Sequence, residues 1–207
     1  MVAAPARPLR SAVDVIKAEH RSIAAVLHGL CHLVKQTRDG GPSTDPRVFR
    51  AMLYYIDTFP ERLHHPKEDR YLFRALRRRS PEAHSVIAEL EAEHVRGVEL
   101  IRALEQALFR YEEGGANRFA DFAARVEEYA EFHWRHMRRE EDVVLPLARR
   151  VLAEEDWREI DDAFAGHADP LLGYATEREF ERLFTRIAAL APPPIGVGPA
   201  PDEPAQR

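Results

Sequence analysis

Apolar residues recur at intervals of three and four along most of the chain. Val13, Ile16, Ile23, Val26 or Leu27, Leu30 and Val34 form one such stripe, which predicts an amphipathic first helix over residues 9–37. The run "TRDGGPST" ends it, and Asp45 followed by Pro46 supplies an N-cap and a first-turn proline for a second helix that continues to about Arg79. Pro60 and Pro66 fall inside that second helix, where each removes a backbone donor and crowds the preceding turn, so a kink is expected near residue 60. Ser80 and Pro81 open a third helix, about 81–113, which stops at Gly114 and Gly115. A fourth, about 116–151, carries Phe119, Phe122, Val126, Tyr129 and Phe132 or His133 on one stripe.

Beyond residue 152, "EEDWREIDDAFAGH" and "TEREFERLFTRIAAL" read as two shorter helices within a 153–191 extension packed on the bundle, and the proline-rich tail 192–207 is expected to be disordered. No useful β-alternation appears. The expected fold is therefore all-α: an antiparallel up-down-up-down four-helix bundle over residues 9–152 with short additional C-terminal helices.

Composition narrows the function classes. The 207 residues are 45% hydrophobic and carry a formal charge of −5, from 35 acidic and 30 basic residues, which gives no basic footprint for nucleic acid or anionic lipid. No apolar run reaches the roughly 20 residues needed to cross a bilayer, and the N-terminus lacks a signal-peptide core, so a soluble, cytoplasmic chain is expected. Cys31 is the only cysteine, which excludes an intrachain disulfide or a cysteine-based zinc site and leaves core packing as its expected role.

Ten histidines redirect the reading toward metal chemistry. Positions four apart share a helix face, so His64 projects with Glu68, and His136 with Glu140. The first and third helices add His20 and His94, each in an "EH" dipeptide. Their heights agree across each turn. His20 lies 17 residues before residue 37 and His64 18 after residue 46; His64 lies 15 before residue 79 and His94 13 after residue 81; His94 lies 19 before residue 113 and His136 20 after residue 116. At about 1.5 Å of rise per residue, the four imidazoles fall in one layer. Burying four imidazoles and two carboxylates without a partner costs several kcal/mol per charge, and a metal removes that penalty. Six or more nitrogen and oxygen donors without a thiolate exceed a tetrahedral zinc site and suit two octahedral-leaning ions, iron first and manganese second.

The segments "DVIKAEH", "HHPKEDRYLFRAL", "ELEAEHVRG" and "HMRREEDVVLPLA" resemble the ligand-bearing segments of the hemerythrin-like HHE cation-binding family, over about residues 11–152. The resemblance implies a bundle around a non-haem di-iron centre that binds oxygen or a related small molecule. His20, His64, His94 and His136 would be terminal ligands, and Glu68 and Glu140 bridging carboxylates, with a solvent oxide or hydroxide completing the bridge.

The sequence also departs from the oxygen carriers of that family. These place two histidines four apart on the third helix, whereas Leu90 and Val98 flank His94 at that spacing, so one iron is expected to lose a nitrogen ligand. Their fourth-helix spacing of five would choose Glu141; helix geometry chooses Glu140. His65, rotated about 100° from His64, is a candidate for the missing ligand, with an outer or surface place as the alternative, and Glu91 is a further candidate. His133 is expected to be a hydrogen-bonding core residue, and His28 and His32 to lie outside the site.

The functional expectation is binding of O₂, NO or peroxide for sensing, detoxification or iron-linked redox control, with oxidase or peroxidase-type activity left open. A ferritin-like ferroxidase or iron-handling protein is the alternative, because "ERLH" and "EAEH" fit a Glu-x-x-His pattern. A metal-free interaction module with polar core histidines is the third reading. Oligomeric state and redox partner are not legible.

Overall fold

The computed structural model describes residues 11–41 and 43–165. Within them the chain is helical, with no β-strand. Helix α1, Ala12–Arg38, starts where the Ser11 hydroxyl accepts the Asp14 N–H and ends with Lys35 and Arg38 in its last turn, where cations suit the exposed carbonyls. Helix α2, Pro46–Thr58, begins as predicted, with the Asp45 carboxylate accepting the Arg47 N–H and Pro46 in the first turn.

The second helical run does not continue as a plain α-helix. A π turn spans Pro60–His64, the short α3 covers His65–Lys67, a second π segment covers Glu68–Phe73, and α4, Arg74–Arg79, completes the run. At the first of these the Phe59 carbonyl accepts from both Leu63 and His64, at 3.1 and 3.0 Å. A 3₁₀ turn, Pro81–Ala83, leads into α5, His84–Gly114, so the third α-helix starts three residues later than the Ser80–Pro81 signal suggests. Gly115, at φ +62°, takes the left-handed turn that a side chain would resist and connects to α6, Ala116–Arg139. A third π segment, Glu140–Val144, precedes α7, Leu145–Val151.

Pro66 and Pro146 each lie two residues beyond a π turn. A proline has no N–H for the carbonyl four residues back and its ring pushes that carbonyl away, so opening the turn relieves both conflicts. The kink expected near residue 60 therefore takes the form of an inserted residue, and its counterpart occurs in the fourth run.

Contacts join α1 to α2, α2 to α5, α5 to α6 and α6 back to α1, a closed ring of helical neighbours. Their buried faces make two hydrophobic clusters. One contains Leu27, Leu30, Phe49, Ile56, Leu104, Phe122 and Val126; the other contains Ile16, Phe73, Leu76, Ile87, Leu90 and Leu145. The first-helix stripe supplies both clusters, with Val13 and Ile16 on one side and Ile23 onward on the other. Buried His20 and Glu19 occupy the gap between them, so a polar layer divides the core. Cys31 is half-buried against the first cluster, where burial raises its thiol pKa to about 11.

Helix α8, Glu154–Ala165, realises the first of the two predicted C-terminal helices. It packs on α1 and is anchored by buried Asp156, which accepts from Arg79 Nε at 2.6 Å, from Arg78 at 3.1 Å and from the Ala153 N–H at 3.0 Å. The second predicted helix and the tail lie outside the described residues. Among the described residues no helix is long and apolar enough to cross a membrane.

Candidate metal centre

The dividing layer contains His20, His64, His65, Glu68, His94, His136 and Glu140, all buried. They fall into two groups, His20–His64–Glu68–Glu140 and His65–Glu68–His94–His136, each with donor atoms within 4.8 Å of one another. Glu68 belongs to both. Its Oε1 faces His64 Nε2 at 3.4 Å and His20 Nε2 at 3.9 Å, while its Oε2 faces His94 Nε2 at 3.7 Å. Glu140 is disposed in the same way, with Oε2 at 3.3 Å from His20 Nε2, and Oε1 at 3.5 Å from His136 Nε2 and 3.9 Å from His94 Nε2. Each carboxylate thus turns one oxygen to either group.

Two observations test whether this donor set fits cations. Both oxygens of Glu68, both of Glu140 and the Nε2 atoms of His20 and His64 are buried without a hydrogen-bond partner. Orphaned buried polar atoms are rare because each costs free energy, and here they converge. Second, His94 Nε2 and His136 Nε2 approach to 3.2 Å while their Nδ1 atoms lie at 2.8 Å from Asp69 and 2.9 Å from Glu93. A carboxylate accepts only, so each Nδ1 turns a proton toward its acid and each Nε2 is turned inward toward the other. Nε2 atoms so disposed would both be available to one cation, whereas without it they share at most a single proton. The residues fit two metal cations.

Electrostatics agree. Burial pushes the His20, His64 and His94 imidazoles toward the neutral form, but the carboxylates around them outweigh it, and all three pKa values stand above the ordinary range, that of His94 at about 9. His65 is the exception, held well below the ordinary value by burial and by neighbouring His94. Burial raises Glu140, yet His136, His20 and His94 together hold it well below the usual carboxylate range.

Six of the predicted residues come together as the helix-height argument requires: His20, His64, Glu68, His94, His136 and Glu140. His65 joins them, buried and stacked on His94 with ring centroids 4.3 Å apart. The rotation between neighbouring positions still holds: His64 faces the group with His20 and Glu140, and His65 the group with His94 and His136, so both imidazoles lie in the layer. His65 stands in the group with His94 and His136, the place where the third helix lacks a second histidine. Glu141 belongs to neither group and lies 3.0 Å from His20 Nδ1. Glu91 pairs with Arg77 at 2.7 Å. His28 is exposed and packs against Trp134, and His32 is exposed.

Sequence reasoning missed the outer carboxylates. Glu19 Oε2 lies 2.7 Å from His64 Nδ1, alongside the Asp69, Glu93 and Glu141 contacts already given. A readable signal was present: "EH" followed by "HxxxE" and a further acid occurs twice, at 19–20 with 64–69 and at 93–94 with 136–141. Glu61 was also missed as a core group. It accepts from Tyr129 Oη at 2.7 Å, meets His133 Nε2 at 3.2 Å and faces His65 Nδ1 at 3.4 Å, which makes His133 the hydrogen-bonded core residue expected. Burial raises the Glu61 pKa, but His133 and His65 override it and hold the carboxyl below its usual range.

A search of the curated proteins and one of the solved structures each found no match. A family model, the Hemerythrin HHE cation binding domain, matches residues 11–148. That span takes in α1 to α6 and every donor of the two groups. The chain belongs to the hemerythrin HHE cation-binding domain family.

Proposed function

We propose that this chain holds two iron ions, one at His20, His64, Glu68 and Glu140 and one at His65, His94, His136 and Glu68, with Glu140 also reaching the second. Glu68 and Glu140 act as bridging carboxylates, and an oxide or hydroxide from solvent completes the bridge. The reading carries with it an up-down-up-down antiparallel course for the four helical runs. The observation that supports it most is the sharing of Glu68 between two buried groups of four donors. Iron is favoured over zinc because the donors are nitrogen and oxygen alone and exceed a tetrahedral set, and manganese is the second choice.

When bound, such a pair of ions supplies reversible electron transfer and a place for a small ligand. The protein's own residues orient the donors and flank them with two apolar clusters that exclude bulk water. A surface depression lined by His20, Arg21, Met137, Arg138, Glu141 and Asp142 reaches the His20 side, where the group has two histidines rather than three. O₂, NO or peroxide is the ligand class such a centre would take, for sensing, detoxification or iron-linked redox control in the cytoplasm. A ferritin-like site is less well supported, because Glu61 turns to Tyr129 and His133 and Glu91 to Arg77.

Purification under iron-replete conditions, followed by metal analysis and a near-ultraviolet spectrum, tests the proposal. Two irons per chain with oxo-bridged ferric absorption is the expected result. Iron well below one per chain, with zinc or no metal in its place, would overturn it.

A further inference from the structure

The four outer carboxylates form a closed circuit. Glu19 sits beside His20 in α1 and accepts from His64 of the second run. Asp69 sits beside Glu68 in the second run and accepts from His94 of α5. Glu93 sits beside His94 in α5 and accepts from His136 of α6. Glu141 sits beside Glu140 in the fourth run and accepts from His20 of α1. Every run therefore places, next to one of its donors to the centre, one acceptor for a histidine of the next run. The circuit is also two-fold: Glu19 to His64 repeats as Glu93 to His136, and Asp69 to His94 repeats as Glu141 to His20. His65 breaks the repeat, since the position after His136 is Met137.

We propose that Asp69, Glu93 and Glu141, together with buried Glu19, are positioning residues that fix the Nδ1–H tautomer of all four histidines and set the redox poise of the centre. This rests on the metal-binding reading above. Each Nδ1–H···carboxylate bond aims the opposite Nε2 inward and makes the imidazole a stronger donor. Four extra negative charges around the layer also favour the more highly charged oxidation state of a bound metal.

The charge is unevenly screened. Glu93 has Arg139 at 3.2 Å and Glu141 has Lys17 at 3.9 Å. The Asp69, Glu93 and Glu141 side chains are 36, 29 and 34% exposed, whereas that of Glu19 is fully buried. The first three can therefore be changed to the isosteric amide without opening the core.

The test compares the full-length protein with Asp69→Asn, Glu93→Gln and Glu141→Gln in two assays: zinc(II) affinity in competition with a chromophoric chelator, and the midpoint potential of the iron-loaded protein by spectroelectrochemistry. Each amide is expected to weaken zinc(II) binding about 10–100-fold, and to move the iron potential upward, with metal-free helicity unchanged. A purely structural role would leave the potential where it was. Zinc(II) affinities within about twofold of the parent, with unmoved potentials, would overturn the proposal. Because zinc(II) is redox-silent, a chain that fails to take up iron would count against the proposed function while the zinc(II) series still decided the role of these carboxylates.

Discussion

Stripping the metal should destabilise this protein far more than losing a surface ligand would. Six buried atoms of the centre have no partner from the protein: both oxygens of Glu68 and of Glu140, and Nε2 of His20 and of His64. An unsatisfied buried polar group costs about 1–3 kcal/mol, so the full set would cost roughly 6–18 kcal/mol, as much as the whole stability of an ordinary domain, about 5–15 kcal/mol. Proton uptake by the imidazoles, water entry and the His–carboxylate attractions recover much of this. If only about 3 kcal/mol survives, the melting temperature still falls by roughly 6–12 °C, because 1 kcal/mol shifts a chain of this size by about 2–4 °C. The assay is circular dichroism melting of iron-loaded and chelator-dialysed protein at one pH, with metal content measured on both. Melting temperatures within about 2 °C, with the metal shown to be gone, would refute the reasoning, since those atoms would then have no need of a cation.

Further perturbations separate the parts of the account. His65→Leu keeps the site filled but removes one of three imidazoles from the His65–His94–His136–Glu68 group, so iron content should fall from about two toward about one per chain at limiting iron; unchanged content would place His65 outside the centre. Gly97→Ala should lower stability by about 1 kcal/mol in urea, although alanine normally gains about that much in a helix, because its Cβ would meet the Glu61 oxygens at 3.0 and 3.1 Å; a gain in stability would contradict that packing. Asp156→Ala removes the anchor of α8 and should cost about 1–2 kcal/mol with iron content intact; loss of iron would link α8 to the centre. In metal-free protein the His94 pKa stands at about 9, above the ordinary value of about 6.5, so its stabilising contribution is complete below that value and is lost as pH rises through about 9. His20 and His64 are raised in the same sense, whereas His65 is lowered and acts below pH 6.5. Melting temperature should therefore fall from about pH 6.5 to 9 without metal and stay level with it; a flat metal-free profile would refute the shift.

The helices and the layer were legible because both rest on periodicity. Val13, Ile16, Ile23, Leu30 and Val34 are buried as their spacing requires, and His20 lies at the one step of that stripe where an apolar residue is missing. Counting from the turns placed four histidines at one height without any knowledge of side-chain packing. Periodicity assumes a uniform helix, however, and that is where legibility ended. The π turns at Pro60–His64 and Glu140–Val144 change the number of residues per turn, and His64 and His65 face different groups of one layer, so His65 could not be assigned from an angle of 100°. The outer acids were obscured for another reason. Asp69 and Glu93 look like the solvated charges of any helix surface, and Glu141 reads as a rival ligand to Glu140; only the direction of a neighbouring imidazole shows the place of each.

The claim on which the rest depends is that two metals share Glu68 and Glu140. Diffraction from crystals of iron-replete protein, with anomalous differences measured on either side of the iron absorption edge, tests it directly. Two iron peaks flanking the Glu68 and Glu140 carboxylates, one beside His20 and His64 and the other beside His65, His94 and His136, is the predicted map. One peak, or none within the layer, would contradict it.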